Sequence, residues 1–174
     1  IDSSAFHTNQ ITTLPDSWGK VTFIGSGAFS NNKITSLPDS WGEVATLDGY
    51  AFADNKITAL TAPWGKITFL PACVFQNNQI VSLPESWGNI SSMGDSVFSS
   101  NKITKLPDSW GKITEIRYQT FYDNQLSALP AWGPVTSIGK QAFVRNKLAV
   151  LPPSWDNVTT IGECAFSGKG VYDY

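Results

Sequence analysis

The sequence predicts a β-rich solenoid, coiled turn upon turn from short parallel strands and tight corners, with at most short 3₁₀ or helical turns. Three observations predict it. Tryptophan stands in one slot at Trp18, Trp41, Trp64, Trp87, Trp110, Trp132 and Trp155. Phenylalanine holds another at Phe6, Phe29, Phe52, Phe75, Phe98, Phe121, Phe143 and Phe166. The pentad Asp-Ser-Trp-Gly-Lys at 16–20 returns with at most two changes at 39–43, 85–89 and 108–112. The period is 23 residues, shortened once to 22 before Trp132. A fixed period of this size means each unit is one supersecondary element that buries its apolar face only against its neighbours.

The unit from Asn32 to Asp54 shows how one turn is built. Its apolar residues are Ile34, Leu37, Trp41, Val44, Leu47 and Phe52. These spacings fit neither the alternation of a half-exposed strand nor a sustained helical period. They suit a chain that bends around a core and drops one apolar side chain inward per facet. Ile34 to Leu37 and Val44 to Leu47 are the short-strand candidates, with Thr or Ser between aliphatic anchors. Pro38 ends the first, because it has no N–H to continue a ladder. Gly42 serves the next corner, where the backbone needs an unusual φ. Around Ala51 and Phe52 the chain has room for at most a single helical or 3₁₀ turn.

Asparagine fills one slot at Asn9, Asn32, Asn55, Asn78, Asn101, Asn124 and Asn146, and Lys169 follows in that register. A stacked amide can donate and accept to the backbone of adjoining turns, satisfying polar atoms that the bend leaves unpaired. The Trp column is expected to close one edge of the core with its indole N–H groups reaching partners, because that slot accepts no other residue. An exposed aromatic platform for glycans is the competing reading of the same column.

The motif Val-x-x-Ile-Gly-x-x-Ala-Phe, complete at 21–29 and 135–143, with an Asn shortly after the Ala-Phe pair, resembles BspA-type bacterial leucine-rich repeats. The resemblance covers essentially the whole chain and implies a leucine-rich-repeat solenoid. The other half of each unit departs from that family's usual Leu-x-x-Ile-x-Ile-Pro form. It reads Ile-Thr-x-Leu-Pro-Asp-Ser-Trp-Gly, as at 34–42. The resemblance further implies a secreted or surface-anchored bacterial protein with an adhesive role. Residues 1–174 are read as a single solenoid of about seven turns. Ile1 falls in mid-repeat and Val171 in an apolar slot, which reads as a piece of a longer chain; pairing of the ends with another chain, an end-to-end self-association, is the alternative.

Composition narrows the function classes. Twelve basic against 14 acidic residues give a net charge of −2, which makes no electrostatic case for nucleic acid. No apolar run approaches the ~20 residues that cross a bilayer, so no membrane insertion is expected. Cys73 and Cys164 share a slot four turns apart, ~19 Å at the strand spacing and beyond the ~7 Å reach of a disulfide.

No catalytic site, cofactor or metal cluster is read from the sequence. His7 is the single histidine and has no repeated partner. Asp16, Asp39, Glu85 and Asp108 make a loose acidic column, interrupted by Ala62, Ala131 and Pro153, that reads as turn capping.

Binding energy should come from slots that vary between turns, since the invariant ones serve stacking. The variable slot before the Ile/Leu anchor contains Phe69 and Glu115, and the region around Ala-Phe adds Tyr50, Arg117, Tyr118, Tyr122 and Arg145. Aromatic and arginine side chains are the usual hot-spot types. Phe69, Glu115, Arg117, Tyr118, Tyr122 and Arg145 are therefore the candidate ligand-binding residues. The expected partner is a host or neighbouring-cell macromolecule, protein or glycan. A passive spacer is the alternative, and Thr columns such as Thr12, Thr35, Thr58 and Thr104 give an ice- or glycan-binding face as a third, lower-ranked reading. Asn89 and Asn157 each begin an Asn-x-Ser/Thr sequon.

Overall fold

The computed structural model describes residues 1–60 and 64–168. The turns stack in one direction, and three facets of each turn play different parts.

The first facet carries the strands. Among the described residues these are β1 (Phe23–Ile24), β2 (Thr46–Leu47), β3 (Phe69–Leu70), β4 (Ser92–Met93), β5 (Glu115–Ile116), β6 (Ser137–Ile138) and β7 (Thr160–Ile161). Every pairing is parallel and one repeat apart, as in Phe23 opposite Thr46 and Ile138 opposite Ile161. The second residue turns inward in β1 to β6, so Ile24, Leu47, Leu70, Met93, Ile116 and Ile138 are buried, whereas Ile161 of β7, in the last described turn, is exposed. The first faces out, which is why that slot tolerates Phe, Thr, Ser and Glu.

The second facet runs from the Gly-x-x-Ala-Phe segment to the Asn. No helix forms there; alternate N–H groups close tight turns, as Ala51 does to Asp48 O at 3.3 Å and Ala53 to Tyr50 O at 3.0 Å. The N–H groups of Gly27, Phe29 and Asn31 donate instead to the carbonyls of Gly49, Ala51 and Ala53 one turn on, at 2.9, 2.9 and 3.0 Å. The pattern recurs down the stack, as in Phe75 to Val97 and Phe143 to Ala165. It is reached by placing two residues per turn in the left-handed region, for example Cys73 (φ 57°) and Asn77 (φ 53°). That conformation costs a non-glycine residue ~1–2 kcal/mol, which the inter-turn bonds must offset.

The Asn side chain locks the end of this facet. The Asn78 amide donates to Phe52 O at 2.9 Å, Phe75 O at 3.2 Å and Gln76 O at 3.3 Å. Its Oδ1 accepts from the buried Ile57 N–H at 3.0 Å. Asn32, Asn55, Asn101, Asn124 and Asn146 repeat the arrangement. The amide thus ties its own turn to the one before, and not to the one after. Lys169, Val171 and Ala62 lie outside the described residues.

The third facet, Leu-Pro-Asp-Ser-Trp-Gly, is held by side chains. Where Ile34–Leu37 suggested a strand, none forms: Lys56 and Thr58 donate to Ile34 O and Thr35 O of the turn before at 2.9 and 3.2 Å, a pair repeated down the stack, but toward the proline the pairing stops, with only an isolated bridge from Ala59 to Ser82. Proline in each turn removes the donor a ladder would need. Clefts open between successive Leu-Pro-Asp/Glu segments, one of 410 Å³ lined by Val81–Glu85 and Thr104–Asp108. Gly42 ends the facet with φ +54° as expected, and Gly19, Gly65, Gly88, Gly111 and Gly133 match it.

The interior is two aromatic ladders. Neighbouring Phe rings stack with centroids 5.5 Å apart for Phe29–Phe52 and 5.6 Å for Phe98–Phe121. Indoles stack at 6.2 Å for Trp87–Trp110 and 6.1 Å for Trp110–Trp132. Each indole also meets a Phe ring at a tilted or edge angle, as Trp110 does Phe121 at 6.1 Å. These are favourable aromatic geometries, each contributing about 0.5–1.5 kcal/mol beyond area burial. Trp18 through Trp132 are buried, which settles the column as core rather than platform. Trp155, in the last described turn, is 41% exposed.

One expectation fails inside that ladder. The indole N–H of Trp64 donates to Ser86 O at 3.2 Å. Those of Trp18, Trp87, Trp110 and Trp132 are buried without a partner. The ladder is held by ring contact, and the indole is retained for its area rather than for its donor.

Candidate functional site

The strand sheet is not continuous. It divides into β1–β2, β3–β4 and β5–β6–β7. Within a group, the residue after the strand donates to the turn before: Asp48 to Ile24 O at 2.9 Å, Gly94 to Leu70 O at 2.7 Å, Gly139 to Ile116 O at 2.6 Å and Gly162 to Ile138 O at 2.7 Å. At the two breaks this position holds Pro71, which has no N–H, and Arg117, whose N–H makes no such bond. A Cβ on Gly94 would lie 2.5 Å from Ala72 N, and on Gly139 2.6 Å from the Arg117 carbonyl carbon. Side chains are therefore tight in this slot. Asp48 keeps its bond, so a Cβ alone does not open the sheet.

The seam between β4 and β5 is where several of the candidate residues gather. Arg117 sets its Nε 3.1 Å from Asp95 Oδ1 across the seam and its Nη1 3.7 Å from Glu115 Oε2. Tyr118 follows, 41% exposed, its carbonyl accepting from Ser96 N–H at 2.8 Å. Lys140 occupies the Tyr118 slot one turn later and pairs with Glu163 at 2.6 Å. Asp95 was missed in the sequence, because an acidic residue in a variable slot carries no pattern. Its signal is the register: Asp95 shares a slot with Tyr118, 23 residues on, which makes it the diagonal neighbour of Arg117 across the seam.

The remaining candidates lie apart from this cluster. Phe69, 47% exposed, belongs to β3 and faces Ser92. Tyr122 and Arg145 form a second pair on the corner facet, the guanidinium 5.8 Å from the ring centroid. Tyr50 is exposed beside Cys73, and the interaction with that thiol raises its phenol above the ordinary tyrosine range.

The other polar features singled out in the sequence make local contacts. His7 Nδ1 lies 2.6 Å from Ser30 Oγ, but the Ser30 hydroxyl donates to Gly27 O at 3.0 Å. In the acidic column Asp108 pairs with Lys105 at 2.9 Å, both exposed, and this holds the lysine charged to higher pH than usual. Asn89 and Asn157 are exposed, with Asn157 donating to Gly133 O at 3.0 Å.

Stacked parallel strands, an Asn ladder and a shared apolar interior define a leucine-rich-repeat protein. The model of the BspA type leucine rich repeat region matches residues 1–127 and 45–171, and the chain belongs to that family. A crystal structure of a leucine-rich repeat protein from Eubacterium ventriosum superimposes with a TM-score of 0.67 at 17% identity. That match covers 99% of this chain and 50% of the other, so the chain spans half the length of that protein. Comparison with curated proteins gave no match.

Proposed function

We propose that this chain is a non-catalytic, adhesive binding segment of a secreted or cell-surface bacterial protein. It contacts a macromolecule of a host or neighbouring cell through the strand-side cluster around Arg117. One observation carries the reading. The repeated slots of this coil are consumed by stacking, whereas Asp95, Glu115 and Arg117 break the repeat together as one exposed ion-paired cluster, with the exposed Tyr118 next to it in the chain. Membership of a repeat family whose members are commonly surface proteins supports the location.

The test is a glycan and extracellular-matrix array probed with the wild type and with Arg117→Ala and Tyr118→Ala. The expected result is binding by the wild type that both variants weaken. Binding that survives both substitutions would exclude the cluster.

A passive spacer is the second reading, favoured by charges that neutralise one another on the surface, as Lys140 and Glu163 do. It predicts silence across the array. The threonine face gains less support. In the column after Val/Ile, the hydroxyls of Ser91, Thr136 and Thr159 are turned onto the carbonyls of Thr68, Thr114 and Thr136 at 3.3, 3.1 and 3.2 Å. They serve the edge of the sheet.

A further inference from the structure

We propose that the seam between β4 and β5 is a subsite for a neutral, hydroxyl-rich glycan. The inference rests on the reading above and names the chemistry of its partner.

Three features belong to the seam. The first is an open stretch of backbone. In the β1–β2 pair, Ala45 and Asp48, the residues before and after the strand, donate to Thr22 O and Ile24 O; Thr114 and Arg117, at the same two positions of the seam, make no equivalent bonds to the turn before them. Two donors are thus left over from the sheet at exposed residues. The second is a fixed set of side-chain groups. Arg117 reaches one oxygen of Asp95 and one of Glu115, so each carboxylate keeps a second oxygen as acceptor. The guanidinium carries five N–H donors, more than those two contacts use. The third is the partly exposed ring of Tyr118, directly after Arg117.

A saccharide matches this mixture. Each hydroxyl donates and accepts at once, as the carboxylates and N–H groups require, and the C–H face of a pyranose packs on an aromatic ring. The charge count disfavours the alternatives. Asp95, Glu115 and Arg117 sum to one negative charge, and the one cation is already paired with both carboxylates, so a sulfate or uronate would meet net repulsion. A protein partner would be expected to anchor on aromatic or arginine side chains that become fully desolvated. Here the arginine is neutralised in place, and Tyr118 is the one exposed ring at the seam.

The experiment uses the full chain on immobilised mannan, xylan and galactan, with heparin and purified extracellular-matrix proteins on the same array. The expected result is retention on at least one neutral polysaccharide, weakened about tenfold by Tyr118→Ala, the loss of a single contact of ordinary strength. Asp95→Asn removes one negative charge and should weaken neutral-glycan binding while raising retention on heparin. Thermal denaturation of each variant, compared with the wild type, reports whether a loss comes from misfolding. Retention on heparin or matrix proteins alone, or on no neutral polysaccharide, overturns the glycan assignment. If matrix-protein binding is lost with Tyr118→Ala, the cluster stands as a binding site and only its partner class is wrong. If every surface binds the variants as it binds the wild type, the cluster itself is excluded.

Discussion

At the scale of single residues, the asparagine slot shows why invariance inside an array reads as structure. Asn78 satisfies four backbone groups at once, including the buried Ile57 N–H. Asn78→Ala leaves those groups unpaired at about 1–3 kcal/mol for each that water cannot reach, so a loss of several kcal/mol is expected in urea denaturation. Asn78→Asp should be worse at neutral pH, because a carboxylate keeps the acceptor for Ile57 but points lone pairs at three carbonyls. Equal stability of the Asp variant and the wild type would refute the donor role. The tryptophans give the opposite lesson. Trp64→Phe loses a hydrogen bond to Ser86 O, whereas Trp87→Phe removes a buried N–H that had none. Both leave a cavity, so both destabilise, but the Trp64 variant should lose about 1 kcal/mol more, the net size of one such bond. Parallel denaturation curves of the two variants check this.

At the scale of elements, the sheet breaks turn on what occupies the position after each strand. Gly94→Ala puts a Cβ 2.5 Å from Ala72 N and 3.0 Å from Ala72 Cα, backbone atoms that cannot rotate away. Overpacking of this kind costs about 1–3 kcal/mol, and the Gly94 amide should lose hydrogen-exchange protection as its bond to Leu70 O lengthens. Arg117→Gly should do the reverse, bringing β5 onto β4 and slowing exchange at residues 114 and 117. Unchanged exchange in that variant would mean the side chain is not what holds the seam open. One of the two strand facets, the Asn ladder, the glycine corner and the aromatic core were legible in the sequence, because each is written in a slot repeated down the chain; the Ile34–Leu37 facet misled, its aliphatic-Thr pattern being cut short at the proline. The corner ladder was not. Its left-handed residues include Tyr50, Cys73, Gln119 and Arg145, types that carry no turn signal, and only the stacking of neighbours makes their conformation worthwhile. The Arg117 cluster was half legible. Arg117, Glu115 and Tyr118 stood out as breaks in the repeat, while Asp95 needed the register and Phe69 proved to lie on another strand.

At the scale of the whole molecule, stability is a sum over neighbours, since most hydrogen bonds between turns join residues 20–26 apart in sequence. In such an array an interior defect weakens two interfaces and an end defect one. Phe98 is fully buried, with Phe75 at 5.8 Å on one side, Phe121 at 5.6 Å on the other, and Trp87 at 6.3 Å. Phe98→Ala should therefore remove about 3–5 kcal/mol. Because contacts reach only the adjoining turns, the loss stays local and divides the stack into two halves coupled less tightly than before. Denaturation followed by tryptophan fluorescence should then separate into two steps, with Trp18 and Trp41 reporting on one half and Trp110 and Trp132 on the other. Phe6, 42% exposed in the first turn and stacked on Phe29 alone, provides the control. Phe6→Ala should cost under about 2 kcal/mol, since only part of its surface is buried, and leave a single transition. One sharp transition for Phe98→Ala, displaced but undivided, would show that coupling extends well past adjacent turns and that the two backbone ladders, unbroken by the substitution, carry it.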